Sequence, residues 1–131
     1  MNAKEFLYTI YLGDRGLKSI LLDGWNHRVV LQIDLISRVR SASGQWDYYA
    51  DEDIVDGLIV FTDVESVFFD PPGFISGDYI DLVGVEMLPP QKGDNEHQRF
   101  VAEFSTAAVV RILAGGVHLE DPARPGLLIR D

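Results

Sequence analysis

Three histidines, twenty-one acidic side chains and no cysteine bound the chemistry open to this chain of 131 residues. Without cysteine there is no thiol nucleophile, no disulfide framework and no thiolate zinc site. His27, His97 and His118 lie far apart in sequence, so a helical zinc pair of the H-E-x-x-H type is absent. His118, between Val117 and Leu119, reads as a sheet-surface residue, and His97, in Asp94-Asn-Glu-His97, as a loop residue. The run Asp51-Glu-Asp53-Ile-Val-Asp56-Gly57 is rich in oxygen ligands. An EF-hand, however, needs oxygen at the fifth position, glycine at the sixth and glutamate at the twelfth, where this chain has Val55, Asp56 and Thr62. The run therefore reads as solvated charge, and no metal or cofactor is expected. Gly73-Phe-Ile-Ser76-Gly77 places its serine one residue late for a nucleophile elbow, and no Walker or dinucleotide-binding glycine motif occurs. A carboxylate pair such as Asp63 with Asp81 could serve acid–base chemistry, but with so many acids some such pair arises by chance. No residue is assigned a catalytic role.

The charge distribution carries more. Eleven basic against twenty-one acidic residues give a net charge of −10. That balance opposes nucleic-acid backbone and anionic membrane, since both are bound by Lys and Arg through counterion release or surface potential. It favours a basic protein partner. The stretch from Ser41 to Gln91 has no Lys or Arg and holds eleven acids. Its sharpest part is Trp46 to Asp56, a loop or short edge strand with five acids and three aromatics and no countercharge nearby in sequence. Trp46, Asp47, Tyr48, Asp51, Glu52, Asp53 and Asp56 are the binding residues this pattern nominates, with Trp46 and Tyr48 as apolar anchors. The bland alternative has Trp25, Trp46, Tyr48 and Tyr49 plugging the ends of a sandwich. Arg15, Lys18, Arg28, Arg38 and Arg40 all precede the anionic stretch. Arg38 and Arg40, two apart on one strand, form a small basic patch or an internal partner for the acids.

The elements that must position these residues are mostly strands. A helix is expected over residues 3–11, where Phe6, Leu7, Ile10 and Tyr11 fall at helical spacing before Gly13, with a strand as the alternative because Tyr8-Thr9-Ile10-Tyr11 is also β-prone. Leu17 to Asp23 and Arg28 to Arg40 flank Gly24-Trp-Asn-His27 as a β-hairpin, with Val29, Leu31, Ile33 and Leu35 on one face. Strands follow over 57–62, 65–69, 78–88 and 99–104, punctuated by Pro71-Pro72-Gly73 and Pro89-Pro90. The polar segment 91–98 is the clearest loop. Ser105 to Gly116 suits either a capped helix or a strand continued through a glycine bulge into Val117-His118-Leu119; the β neighbourhood favours the strand. Leu127 to Ile129 adds an edge strand. The expected architecture is a mainly β (α+β) fold, a single antiparallel β-sandwich or barrel-like domain over residues 1–131, with a short N-terminal helix. No apolar run approaches the roughly 20 residues that span a bilayer, and no signal-peptide core follows Met1, so a cytoplasmic location is expected.

Tyr11-Leu-Gly-Asp-Arg-Gly16, Asp23-Gly-Trp-Asn26 and Ile33-Asp-Leu-Ile-Ser-Arg38 give the chain a family resemblance. It resembles a family of small uncharacterised bacterial proteins, a domain of unknown function similar in size and layout to the immunity proteins of polymorphic-toxin systems. The likeness covers the first forty or so residues well, and Asp63 to Gly73 more loosely. It implies no catalytic residue. Three functions are then weighed: a non-catalytic acidic protein that neutralises a basic partner such as a toxin nuclease; a small-molecule or metal-dependent β-sandwich enzyme, whose pocket would include Asp34 and a histidine; and a self-associating homo-oligomer, which needs only an open strand edge.

Overall fold

The computed structural model describes residues 1–41, 46–90 and 98–131, with backbone alone at 40–41 and 46–51. The chain runs through one short helix, α1 (Ala3–Leu7), and then β1 (Ile10–Tyr11), β2 (Leu17–Asp23), β3 (Arg28–Ile33), β4 (Leu35–Ser41), β5 (Trp46–Val55), β6 (Leu58–Thr62), β7 (Ser66–Asp70), β8 (Asp81–Met87), β9 (Phe100–Ser105), β10 (Val109–Ala114), β11 (Gly116–Glu120) and β12 (Leu128–Ile129). The strands form three antiparallel sheets, in the orders β1-β4-β5, β7-β10-β9-β8 and β12-β11-β6-β3-β2. None closes into a barrel among the described residues. The expected mainly β architecture with an N-terminal helix is the one observed.

The helix is shorter than its apolar spacing predicts. Asn2 Oδ1 accepts the Glu5 N–H at 2.8 Å and caps its start. It stops at Leu7 because Ile10 and Tyr11 pair with Arg38 and Ser37 of β4. Pairing to a strand overrides helical periodicity here, and Gly13 caps nothing.

The β2–β3 hairpin forms as expected, but the positive φ of its turn falls on His27 and not on Gly24 or Asn26, the residue types that favour it. His27 takes a positive φ of 53°, and the Asp23 carboxylate accepts from the Asn26 N–H at 3.2 Å and from its side-chain amide at 2.9 Å. The side-chain hydrogen bond from Asn26, followed by the backbone one, holds the Asp23 carboxyl below its ordinary value.

The long second arm is where expectation and structure part. Residues 28–40 are not one strand, because the chain breaks at Asp34. The Asp34 carboxylate accepts the N–H groups of Gly16 at 3.0 Å and Leu35 at 2.7 Å, which turns the chain out of one sheet and into another. The alternation slips by one residue as a result: Ile33 and Ile36 are both buried, and Leu35 is not on their face.

The core draws on all three sheets. Leu31, Ile33, Ile59, Phe61 and Leu119 face Phe100, Ala102, Phe104 and Ile112 across the sandwich, with Phe6, Leu7, Ile36 and Ile54 closing one side. Within 105–116 the chain is strand rather than helix: β9 ends at Ser105, residues 106–108 bend, and β10 covers Val109–Ala114. β10 pairs with both β7 and β9, then hands over at Gly115-Gly116 to β11 in the neighbouring sheet. Gly116 is required at that handover, since a Cβ there would sit 2.5 Å from Thr62 Oγ1. Among the described residues no helix is long and apolar enough to cross a membrane.

Candidate functional site

The acidic segment nominated from sequence is not a loop. Trp46–Val55 is a ten-residue strand at the edge of its sheet, hydrogen-bonded to β4 on one side. The register changes along it: Ile36 pairs with Ile54 and Arg38 with Tyr49, so the four residues 50–53 stand opposite the single Ser37. That bulge bends the strand, a common device for re-aiming side chains at an edge.

Part of the countercharge that sequence distance hid comes from Lys18 of β2. Asp47 lies directly across from Arg40. Asp56, at a positive φ of 53°, ion-pairs with Lys18 at 2.8 Å. Glu52 and Ile54 share a small cavity with Arg38, Arg124 and Asp131. The side chains of Trp46, Asp47, Tyr48 and Asp51 lie outside the described residues, as does His97. Glu52 and Asp53 are half-buried and Val55 is exposed. The nominated residues therefore share one strand and the turn after it, but their charge is partly neutralised in space.

Arg38 is not part of a surface patch. It is buried, with Nε and an Nη of its guanidinium donating to Thr9 Oγ1 at 3.2 and 2.8 Å and the group lying 5.3 Å over the Phe6 ring. Trp25 plugs nothing: at 92% exposure it stands at the tip of the β2–β3 hairpin.

A second site was missed from sequence. It is a cleft of about 810 Å³ on the outer face of the five-stranded sheet. The ladders set Val30 beside Val60 and Val60 beside His118, on the face opposite the core residues Leu31, Phe61 and Leu119. One register step away, Thr62 lies beside Gly116, and Arg28 extends the row. Arg28, Thr62, Gly116, His118 and Glu120 thus form the cleft floor, walled by Asn2, Phe6, Met87 and Arg130. His118 is buried, and its Nε2 lies 2.8 Å from Glu120 Oε2. The reading of His118 as a sheet-surface residue is corrected: the cleft walls and its glutamate partner cover it. Spacing alone could have shown the pair, because residues two apart on a strand share a face. Arg28 Nε is buried and has no hydrogen-bond partner among the described residues, though the guanidinium reaches Asp23 at 3.4 Å.

Two guanidinium groups beside an imidazole–carboxylate pair, with apolar Phe6 and Met87 adjacent, suit a small anionic or polar molecule. Asp34, expected in any pocket, instead serves the β3–β4 break, and His27 sits in the hairpin turn. Among the described residues no three His, Asp or Glu side chains gather as metal ligands would.

A family model, that of a family of unknown function (DUF6258), matches residues 1–131. No curated protein and no solved structure matches.

Proposed function

The chain belongs to DUF6258, a family of unknown function, and within that frame we propose that it is a non-catalytic binding protein, an immunity-type neutraliser of a basic partner. The observation that carries this reading is the acidic strand β5. Eleven acids and no base lie between residues 41 and 91, and the first of them fall along a ten-residue strand that, among the described residues, pairs on one side only. An open edge offers N–H and C=O groups to an extended segment, and acids along it select a cationic one. Association steered this way is fast and weakens with salt. On this reading the chain is bacterial and works in the cytoplasm, and a toxin gene beside this one would support it.

Reversing Asp47, Asp51 and Asp53 to lysine together should weaken binding of the recovered basic partner about 100-fold or more. Calorimetry at two salt concentrations checks this. Unchanged affinity in the triple variant sinks the proposal.

A second reading rests on the cleft. The partnerless Arg28 Nε beside Arg130, His118 and Glu120 favours a small anionic ligand. A panel of small carboxylates and phosphates should then contain compounds that raise the melting temperature of the parent protein and fail to raise that of Arg28→Met. A panel with no such compound removes this reading.

A further inference from the structure

Sheet edges template unwanted pairing, and proteins blunt them by shortness, charge or bulges. Most edges here are blunted. β1 and β12 are two residues long, β5 is acidic and bulged, and β8 carries Asp81 and Glu86. Two edges keep apolar centres: β2, with Ile20-Leu21-Leu22, and β7, with Val67-Phe68-Phe69. Both lie on the same side of the sandwich and line one groove of about 470 Å³ with Phe74 and Ile75. On β7 the exposed Phe68 ring already lies under the Arg111 guanidinium, 5.9 Å away. On β2, Leu21 and Leu22 stand 53% and 56% exposed.

The geometry points to β2 as the pairing edge for a second copy of this chain, joining two five-stranded sheets across a two-fold axis at Leu21. Three observations select this occupant. The outer side of Leu17 is already taken, because its N–H donates to Asp78 at 2.8 Å and Gly16 bridges to Tyr79. The open part is thus Ser19 to Asp23, whose centre is Leu21.

Antiparallel self-pairing about that centre sets Leu21 against Leu21, Ile20 against Leu22 and Ser19 against Asp23. No like charges face one another, and Lys18 of each copy falls one position from the region opposite Asp23 of the other. The inner-face side chains Ile20 and Leu22 of the second copy would then extend the core over the groove, since Ile20 pairs with the core residue Leu31 in its own sheet. The pairing ends at Ser19 and Asp23, because Asp78 and Tyr79 fill the edge beyond Ser19.

The absence of cysteine makes the test clean. Across an antiparallel pair, Cα atoms lie about 4.5–5.5 Å apart, within disulfide reach. Leu21→Cys should therefore oxidise to a covalent dimer. Leu22→Cys, whose own copy sits two residues off register at about 8 Å, should not. The parent protein should shift from 14.7 kDa towards twice that mass between about 10 µM and about 1 mM by light scattering, as expected of a small interface. Added salt should promote the shift, because each copy carries −10. Leu21→Lys should stay folded by circular dichroism and remain at 14.7 kDa throughout. A parent protein that stays monomeric to about 1 mM overturns the proposal, as does equal cross-linking of the two cysteine variants. The opposite salt dependence separates this result from that of the acidic edge.

Discussion

Arg38→Ala is expected to lower the free energy of unfolding by about 3–4 kcal/mol, read from the midpoint of a urea titration at unchanged slope. Arg38 is the largest fully buried side chain among the described residues. Its strand, β4, pairs with β1 on one side and β5 on the other, so it sits at the middle of the three-stranded sheet. From there the guanidinium donates twice to Thr9 Oγ1 and lies over Phe6 of α1. Alanine removes those contacts together and leaves a void against the helix. Arg38→Lys should recover little, since a single ammonium cannot reproduce the planar fork or the stacking. Arg38→Met, which refills the volume without a charge to bury, should recover more. A loss below about 1 kcal/mol for the alanine variant would show that the guanidinium is incidental to the sheet.

Phe61→Ala should cost as much or more, about 4 kcal/mol. Phe61 lies on β6, the central strand of the five-stranded sheet, with no exposed surface. Its ring meets Phe100 at 6.3 Å and Phe104, nearly edge-on, at 6.0 Å; both belong to β9 of the facing sheet. Such pairs add about 0.5–1.5 kcal/mol each beyond area burial. This trio is the main aromatic contact between the two larger sheets, so truncation removes the apolar bridge that aligns them. Phe61→Leu keeps most of the volume and should lose about 1.5 kcal/mol or less. Near-equal losses for leucine and alanine would mean that ring geometry, not volume, dominates.

How much of this was legible depended on whether a signal was local. The β2–β3 reversal was readable because turn-forming Asp23, Gly24 and Asn26 cluster within a few residues, although its positive φ falls on His27. For Ser105 to Gly116 local residues suited helix and strand alike; the β neighbourhood pointed to strand, and Val109–Ala114 is one. The break at Asp34 was not readable, because the hydrogen bond that makes it comes from Gly16, eighteen residues away. The misplacement of Arg38 has the same origin. An arginine on an alternating strand reads as solvent-facing until Thr9 and Phe6 arrive from another element. The cleft was hidden for a further reason. Arg28, Thr62 and His118 are far apart in the chain, and only the strand order β11-β6-β3 brings them together. By contrast, the acidity of 41–91 was plain, while the ion pair of Asp56 with Lys18, thirty-eight residues away, was not.

The handover at Gly115-Gly116 has a consequence for biosynthesis. β6 pairs with β3 soon after both are made, but its other side waits for β11, more than fifty residues later. Until Gly116–Glu120 has left the ribosome, β6 presents an apolar edge of Leu58-Ile-Val-Phe61 to the cell. Pairing over such sequence separations is slow, and the half-made sheet is the species most prone to aggregate. The nascent chain is thus most vulnerable while β7 to β10 are being synthesised, and its safety depends on how quickly translation reaches the last strands.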